Sequence, residues 1–147
     1  YTLRQEPGPA NSLGRIKLLN LALNSIELSP NGKLSLMTVT RGMMEETQTQ
    51  PEDADGLINY VRRIEDVHVA ALIQEQVNGR SSNAAAGRFH VSLRSDGSVD
   101  VAALAGTYGG GGHRSAAGFQ TEGPLADIKA RLLDWAQHTW RGAGTRP

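Results

Sequence analysis

The stretch Arg88-Phe89-His90-Val91-Ser92-Leu93-Arg94-Ser95 decides the fold. Side chains on an extended strand point alternately to opposite faces. Phe89, Val91 and Leu93 therefore share one side, and Arg88, His90, Ser92 and Arg94 share the other. The first side calls for a core. The second reads either as the solvated face of an edge strand or as a row of donors. Upstream, Val67 to Val77 is apolar enough for a central strand. Lys33 to Thr40 reads as another, carrying β-branched Thr38, Val39 and Thr40. Downstream, Ala116 to Thr121 reads as the last.

Helical patterns interleave with these strands. Ser12 is suited to cap a helix over Leu13 to Glu27, with Ile16, Leu19, Leu23 and Ile26 as its inward stripe. Ser29-Pro30-Asn31-Gly32 then turns the chain. Arg41 to Thr47 reads as a short helix. Pro51 with Glu52, Asp53 and Asp55 opens a second long helix that buries Leu57, Val61 and Ile64, with Arg62 and Arg63 at its C-terminal end. Asn78-Gly79 signals a turn and Ser81 to Gly87 a loop. Asp96-Gly97 turns the chain, and Asp100 caps a helix from Val101 to about Tyr108. Pro124 opens the final helix, striped by Leu125, Ile128, Leu132 and Trp135. Trp135 and Trp140 read as core or interface packing. The whole predicts an α/β (α+β) fold, a mixed β-sheet flanked by helices, in one domain over residues 12–141. Residues 1–11 read as a linker or lead-in segment and 142–147 as a frayed tail.

Composition narrows the function classes. The 147 residues carry 15 basic and 15 acidic groups, for a net charge of zero. Such balance argues against wrapping long nucleic acid by bulk charge. Twelve of the basic residues are Arg, which favours forked, bidentate donors. The chain has no cysteine, which excludes disulfides and thiolate metal sites and suits a cytoplasmic protein. No apolar run is long enough to span a bilayer. The chain opens at Tyr1 without an initiator Met or a signal-peptide pattern, as a domain of a longer protein would.

The most pointed segment is Gly109-Gly110-Gly111-Gly112-His113-Arg114-Ser115-Ala116-Ala117-Gly118-Phe119. A glycine run is more often a turn or flexible link than bare main chain that a ligand can approach. It matches neither the phosphate-loop pattern nor the spaced glycines of dinucleotide folds. A capped apolar helix leads in, Ala-Ala-Gly-Phe leads out, and His113 and Arg114 stand at its mouth. Tyr108, just before it, suits either base stacking or anchoring of the short helix.

Val91-Ser92-Leu93-Arg94-Ser95, Val99-Asp100-Val101-Ala102, Gly110-Gly111-Gly112-His113 and Ala116-Ala117-Gly118 together resemble the C-terminal DHH-associated domain of the DHH-superfamily phosphoesterases. The likeness is greatest to the subgroup of oligoribonucleases, phosphatases of 3′-phosphoadenosine 5′-phosphate and dinucleotide phosphodiesterases. It covers residues 57–120 strongly and the preceding part loosely. The resemblance implies a substrate-binding domain that closes over a nucleotide. An N-terminal Asp-His-His domain would hold two divalent metals, usually manganese. Carried over, Ser92, Arg94 and Ser95 would hold a phosphate or a neighbouring polar group. Gly110, Gly111 and Gly112 would admit the nucleotide to the backbone, and His113, beside Arg114, would hydrogen-bond it near the scissile phosphate. The implied partners are a short oligonucleotide, 3′-phosphoadenosine 5′-phosphate or a dinucleotide, together with the catalytic domain of the same protein. A second copy of the chain is left open.

The departure is that this chain has no Asp-His-His sequence. His68, His90, His113 and His138 are scattered without carboxylates at metal-ligand spacing, so the chain is expected to bind no metal and to hold no catalytic residue itself. Asp53 and Asp55 read as ordinary first-turn acids. No nucleophile elbow is present. The alternative is a non-catalytic nucleic-acid-binding module of an exonuclease-like or synthetase-editing protein.

Overall fold

Alternation along Gly87–Ser95 places that strand, β4, at the heart of the sheet. The computed structural model describes residues 12–76 and 87–140. The other strands are β1 (Glu27–Leu28), β2 (Leu34–Val39), β3 (Val69–Glu75), β5 (Gly111–His113) and β6 (Ala116–Gly123). They lie in the order β1-β2-β3-β4-β6-β5. The β2–β3 pair is parallel and every other pair antiparallel. The mixed sheet with flanking helices is the architecture expected from the sequence. The linker over 1–11, the end of the β3 strand at Val77, the turn at Asn78-Gly79, the loop from Ser81 and the tail over 142–147 lie outside the described residues.

One face of the sheet carries the larger core. Val91 and Leu93 of β4, Ile73 of β3 and Phe119 of β6 meet α4 (Val101–Gly106) and α5 (Leu125–Thr139) there. Tyr108 belongs to this side: its ring stacks on Phe119 at 4.4 Å. It therefore anchors the end of α4 rather than offering a platform to a base. Trp135 and Trp140 pack edge-on at 5.5 Å against the same core. Asp100 Oδ1 caps α4 by accepting from the N–H groups of Ala102 and Ala103 at 2.9 and 3.2 Å.

The opposite face is covered by α1 (Leu13–Asn24), α2 (Arg41–Thr47), a 3₁₀ turn (Pro51–Ala54) and α3 (Ile58–Val61). They bury Met37 and Val39 of β2 and Ala70 and Leu72 of β3. No residue of β4, β5 or β6 joins this second core among the described residues. Among the described residues, half of the face is thus roofed and half is bare.

Two helices differ from expectation. α1 stops at Asn24, not Glu27, because the Ser25 hydroxyl donates to Ala22 O at 2.6 Å and accepts from Thr38 N–H at 2.9 Å. Its inward stripe is Leu18 and Ala22, while Ile16 is 52% and Leu13 66% exposed. Gly14 sets that rotation: a Cβ there would lie 2.6 Å from Thr47 O, so α1 touches the end of α2 through bare backbone. The expected second long helix is two short pieces. Asp55 is extended and Gly56 adopts φ +87°, which breaks the run between the 3₁₀ turn and α3. Asp53 does not gather with other acids; its Oδ2 accepts from Gln50 N–H at 2.8 Å.

Candidate functional site

On the bare half, strand pairing lines up three rows of residues. Ala70, Arg94, Ala116 and His113 form one row across β3, β4, β6 and β5. Leu72, Ser92, Gly118 and Gly111 form the next on the same face. Gln74, His90 and Gln120 form the third. Neighbouring strands lie about 4.8 Å apart, so the backbones at Arg94 and His113 are roughly 10 Å apart, with only the methyl of Ala116 between them. Small residues make the floor and polar side chains border it.

Arg94 is half-buried, and its Nη1 donates to Leu93 O at 2.9 Å, which folds the guanidinium back along its own strand and leaves its other N–H donors. None of the ion pairs among the described residues involves it. Ser92 stands one row away. Ser95 is separated from this pair: it is buried on the core-facing parity beside Val69. Its hydroxyl accepts from the N–H groups of Gly97 at 3.0 Å and Val99 at 3.4 Å, which fixes the turn after β4.

The glycine run starts as a turn at Gly109 and Gly110 and continues as the edge strand β5, which folds back on β6 through a two-residue turn at Arg114-Ser115. Its glycines serve different purposes. A Cβ on Gly110 would fall 2.2 Å from Gly118 O, and one on Gly112 would fall 2.6 Å from Ala117 Cα. Those two are bare because β6 runs against them. A Cβ on Gly111 would meet nothing within 4 Å, so packing does not require glycine there. Gly111 is the position where exposed main chain remains open to a ligand. His113 is exposed and closes the row of Arg94. Arg114 lies in the turn, its Nη1 3.9 Å from Asp100 Oδ2, and its carbonyl accepts from Val101 N–H at 2.9 Å.

The structure adds residues to the set read from the sequence. His90 sits over the floor: a Cβ on Gly118 would be 3.2 Å from His90 Nε2. Burial pushes this imidazole below its ordinary 6.5. Its place in the strand alternation was readable, but not its proximity to Gly118. On the other side of Arg94, a depression of about 280 Å³ is bordered by Arg62, Arg63, His68, Arg94, Ser95 and Asp96. In the sequence the Arg62-Arg63 pair reads only as the favoured charge at a helix end. Burial pushes the Asp96 carboxyl up, but the side-chain and main-chain hydrogen bonds of Ser98, together with His68, outweigh it and hold the group at about 2.

Among the described residues, no three His, Asp or Glu side chains gather as a metal site. No helix of the described residues is long and apolar enough to cross a membrane.

Solved structures share the fold, among them the following two. An exopolyphosphatase-related protein from Bacteroides fragilis superposes with a TM-score of 0.76 at 20% identity, over 93% of this chain and 38% of its own length. A pGpG-specific phosphodiesterase, PggH, from Vibrio cholerae superposes with a TM-score of 0.54 at 12% identity, over 83% of this chain and 38% of its own length. The chain thus spans well under half of either neighbour. Residues 33–138, which run from the start of β2 through α5 and include the bare half of the sheet, match the DHHA1 domain, and the chain belongs to that family, the domain associated with DHH phosphoesterases.

Proposed function

We propose that this chain is the substrate-binding part of a manganese-dependent phosphoesterase that cleaves phosphodiester or phosphomonoester bonds in short oligonucleotides or nucleotides. The observation that carries the reading is the bare half-sheet. Evolving a sheet face without a roof leaves apolar floor and polar donors exposed, and here the donors suit phosphate. Arg94 offers a fork to two oxygens, Gly111 offers unshielded main chain, and Ser92 and His113 offer single hydrogen bonds. Gly110 and Gly112 support this by keeping β5 close to β6.

In this reading the metals reside on a catalytic domain elsewhere in the same protein, where they would activate water for attack on phosphorus. This chain's own residues bind and orient. Arg94 neutralises a non-bridging oxygen, His113 fixes the ligand at the β5 edge, and the small floor lets a nucleotide lie flat. A cytoplasmic location belongs to the same proposal, since the ligands it names are intracellular metabolites.

Calorimetric titration with the dinucleotide pApA tests it. Binding to the full chain is expected to weaken with Arg94→Ala and with His113→Ala. Binding indifferent to both would overturn the assignment. A steep dependence of affinity on salt for long single strands, with no preference for short ligands, would favour a non-catalytic nucleic-acid-binding module instead.

A further inference from the structure

α1 is apolar on every side. Leu13, Ile16, Leu18, Leu19, Leu21 and Leu23 spread around its whole circumference. A helix of that kind is normally enclosed by its own protein. Here only Leu18 and Ala22 are fully buried, because the contact of Gly14 with Thr47 fixes the rotation. Ile16 and Leu23 are left outward and Leu19 between them is half-buried. Their spacing, three residues and then four, is that of a seam along which helices pair. α5 is the contrast. Its outward positions include Asp127, Arg131, Asp134 and Gln137, and it exposes no large apolar side chain.

The apolar patch extends beyond the helix. A groove of about 240 Å³ separates α1 from the segment between the 3₁₀ turn and α3. Ile16, Leu19, Leu57 and Tyr60 line it, with Asp53 and Asp55 on its rim. Five large apolar side chains are exposed among the described residues, and Leu13, Ile16, Leu23 and Tyr60 are four of them. These four expose about 400 Å² together, a size that marks a contact surface. Two such patches with their rims come to about 1,200 Å², the lower end of specific protein interfaces.

The chemistry of the patch suits a copy of itself. A two-fold contact sets each surface against its own kind, so it tolerates no uncompensated like charge at its centre. The line Ile16–Leu19–Leu23 carries no charge, and Lys17 lies about a third of a turn off it. Arg15 Nε is paired with Asp53 Oδ1 at 3.5 Å. The Tyr60 hydroxyl and the Asp55 carboxylate make no hydrogen bond or ion pair among the described residues. One rim thus holds a donor and an acceptor to spare, as a self-matching surface requires.

We infer that the outer face of α1, together with Tyr60, is the surface through which two copies of this chain pair about a two-fold axis. None of these residues belongs to the bare half of the sheet, so the pairing stands or falls separately from the proposed function.

Sedimentation equilibrium of the full chain tests this. The weight-average mass should rise from 15.7 kDa toward twice that value between about 10 µM and 1 mM. Ile16→Glu/Leu23→Glu should weaken the pairing about tenfold or more, with the circular dichroism spectrum of the parent. A parent chain that stays at 15.7 kDa throughout overturns the inference and leaves the patch to another polypeptide. A dimer that survives the double variant overturns it too, as does an equal loss with Arg131→Glu on α5. Should the double variant fail to fold, Tyr60→Asp, outside the helix, decides: weakened pairing upholds the surface and unchanged pairing overturns it.

Discussion

The two halves of one sheet face make an instructive pair. Over β2 and β3 the alternating positions are Met37, Val39, Ala70 and Leu72, and α1 to α3 close over them. Over β4, β6 and β5 the same alternation presents His90, Ser92, Arg94, Ala116, Gly118 and Gly111, with no helix of the described residues above them. Backbone geometry is common to both. Side-chain chemistry alone decides that one half is interior and the other exposed. The roofed half therefore carries stability, and the proposed function assigns binding to the bare half.

That division is most easily broken at Met37, which is fully buried. Met37→Ala should cost about 2–5 kcal/mol of stability. Chemical denaturation should register the loss, while the protein that remains folded binds ligand as before. Arg94→Ala should do the opposite. Its unfolding midpoint should stay near the parent's, while losing a charged hydrogen bond costs about 1.5–3 kcal/mol of affinity. If Arg94→Ala unfolds the chain instead, the two halves are not separable.

The glycines at the start of β5 sharpen the contrast between neighbouring positions. Gly110→Ala forces a methyl into the β6 main chain and should destabilise by about 1–3 kcal/mol. Gly111→Ala meets open space and should leave the melting temperature close to the parent's while weakening ligand binding. Equal thermal losses in both variants would mean that Gly111 is also structural.

The smallest effects concern protons. Burial favours neutral His90, so the unfolded chain takes up the proton first as pH falls through 6.5. That contribution to stability is complete above 6.5 and declines below it, and His90→Gln should flatten the decline in urea midpoints. A phosphate bound on the same face should move the imidazole titration back up, read by NMR. Asp96 works on the acid side. Its pKa falls from an ordinary 3.8 to about 2 on folding, so its stabilisation is present above 3.8 and disappears as pH drops toward 2. Asp96→Asn should show a shallower acid transition across that window.

Much of this was legible in the chain because local chemistry dictates it. The alternation of β4, the caps at Ser12 and Asp100 and the helix opened by Pro124 follow from patterns of a few residues. What was illegible depends on partners distant in sequence. The rotation of α1 is set by Gly14 meeting Thr47, and a stripe count cannot weigh a contact of that kind. Gly56 divides the expected long helix, although an isolated glycine is tolerated in many helices. Within the site, Arg94 and His113 were readable as types, but the registry that sets them in one row comes from the β4–β6–β5 pairing. Ser95 shares a motif with Arg94 yet points to the other side, since adjacent residues on a strand cannot share a face. Arg62 and Arg63 enter only because α3 ends beside β3.

The outermost strands are short: β1 has 2 residues and β5 has 3. Unpaired amides along a sheet's margin are templates for intermolecular β-pairing, and the hazard grows with the length of the margin. Each stub by itself offers a foreign chain almost no ladder to extend. Among the described residues the longer open margin is that of β6 beyond Gly118, where β5 does not reach.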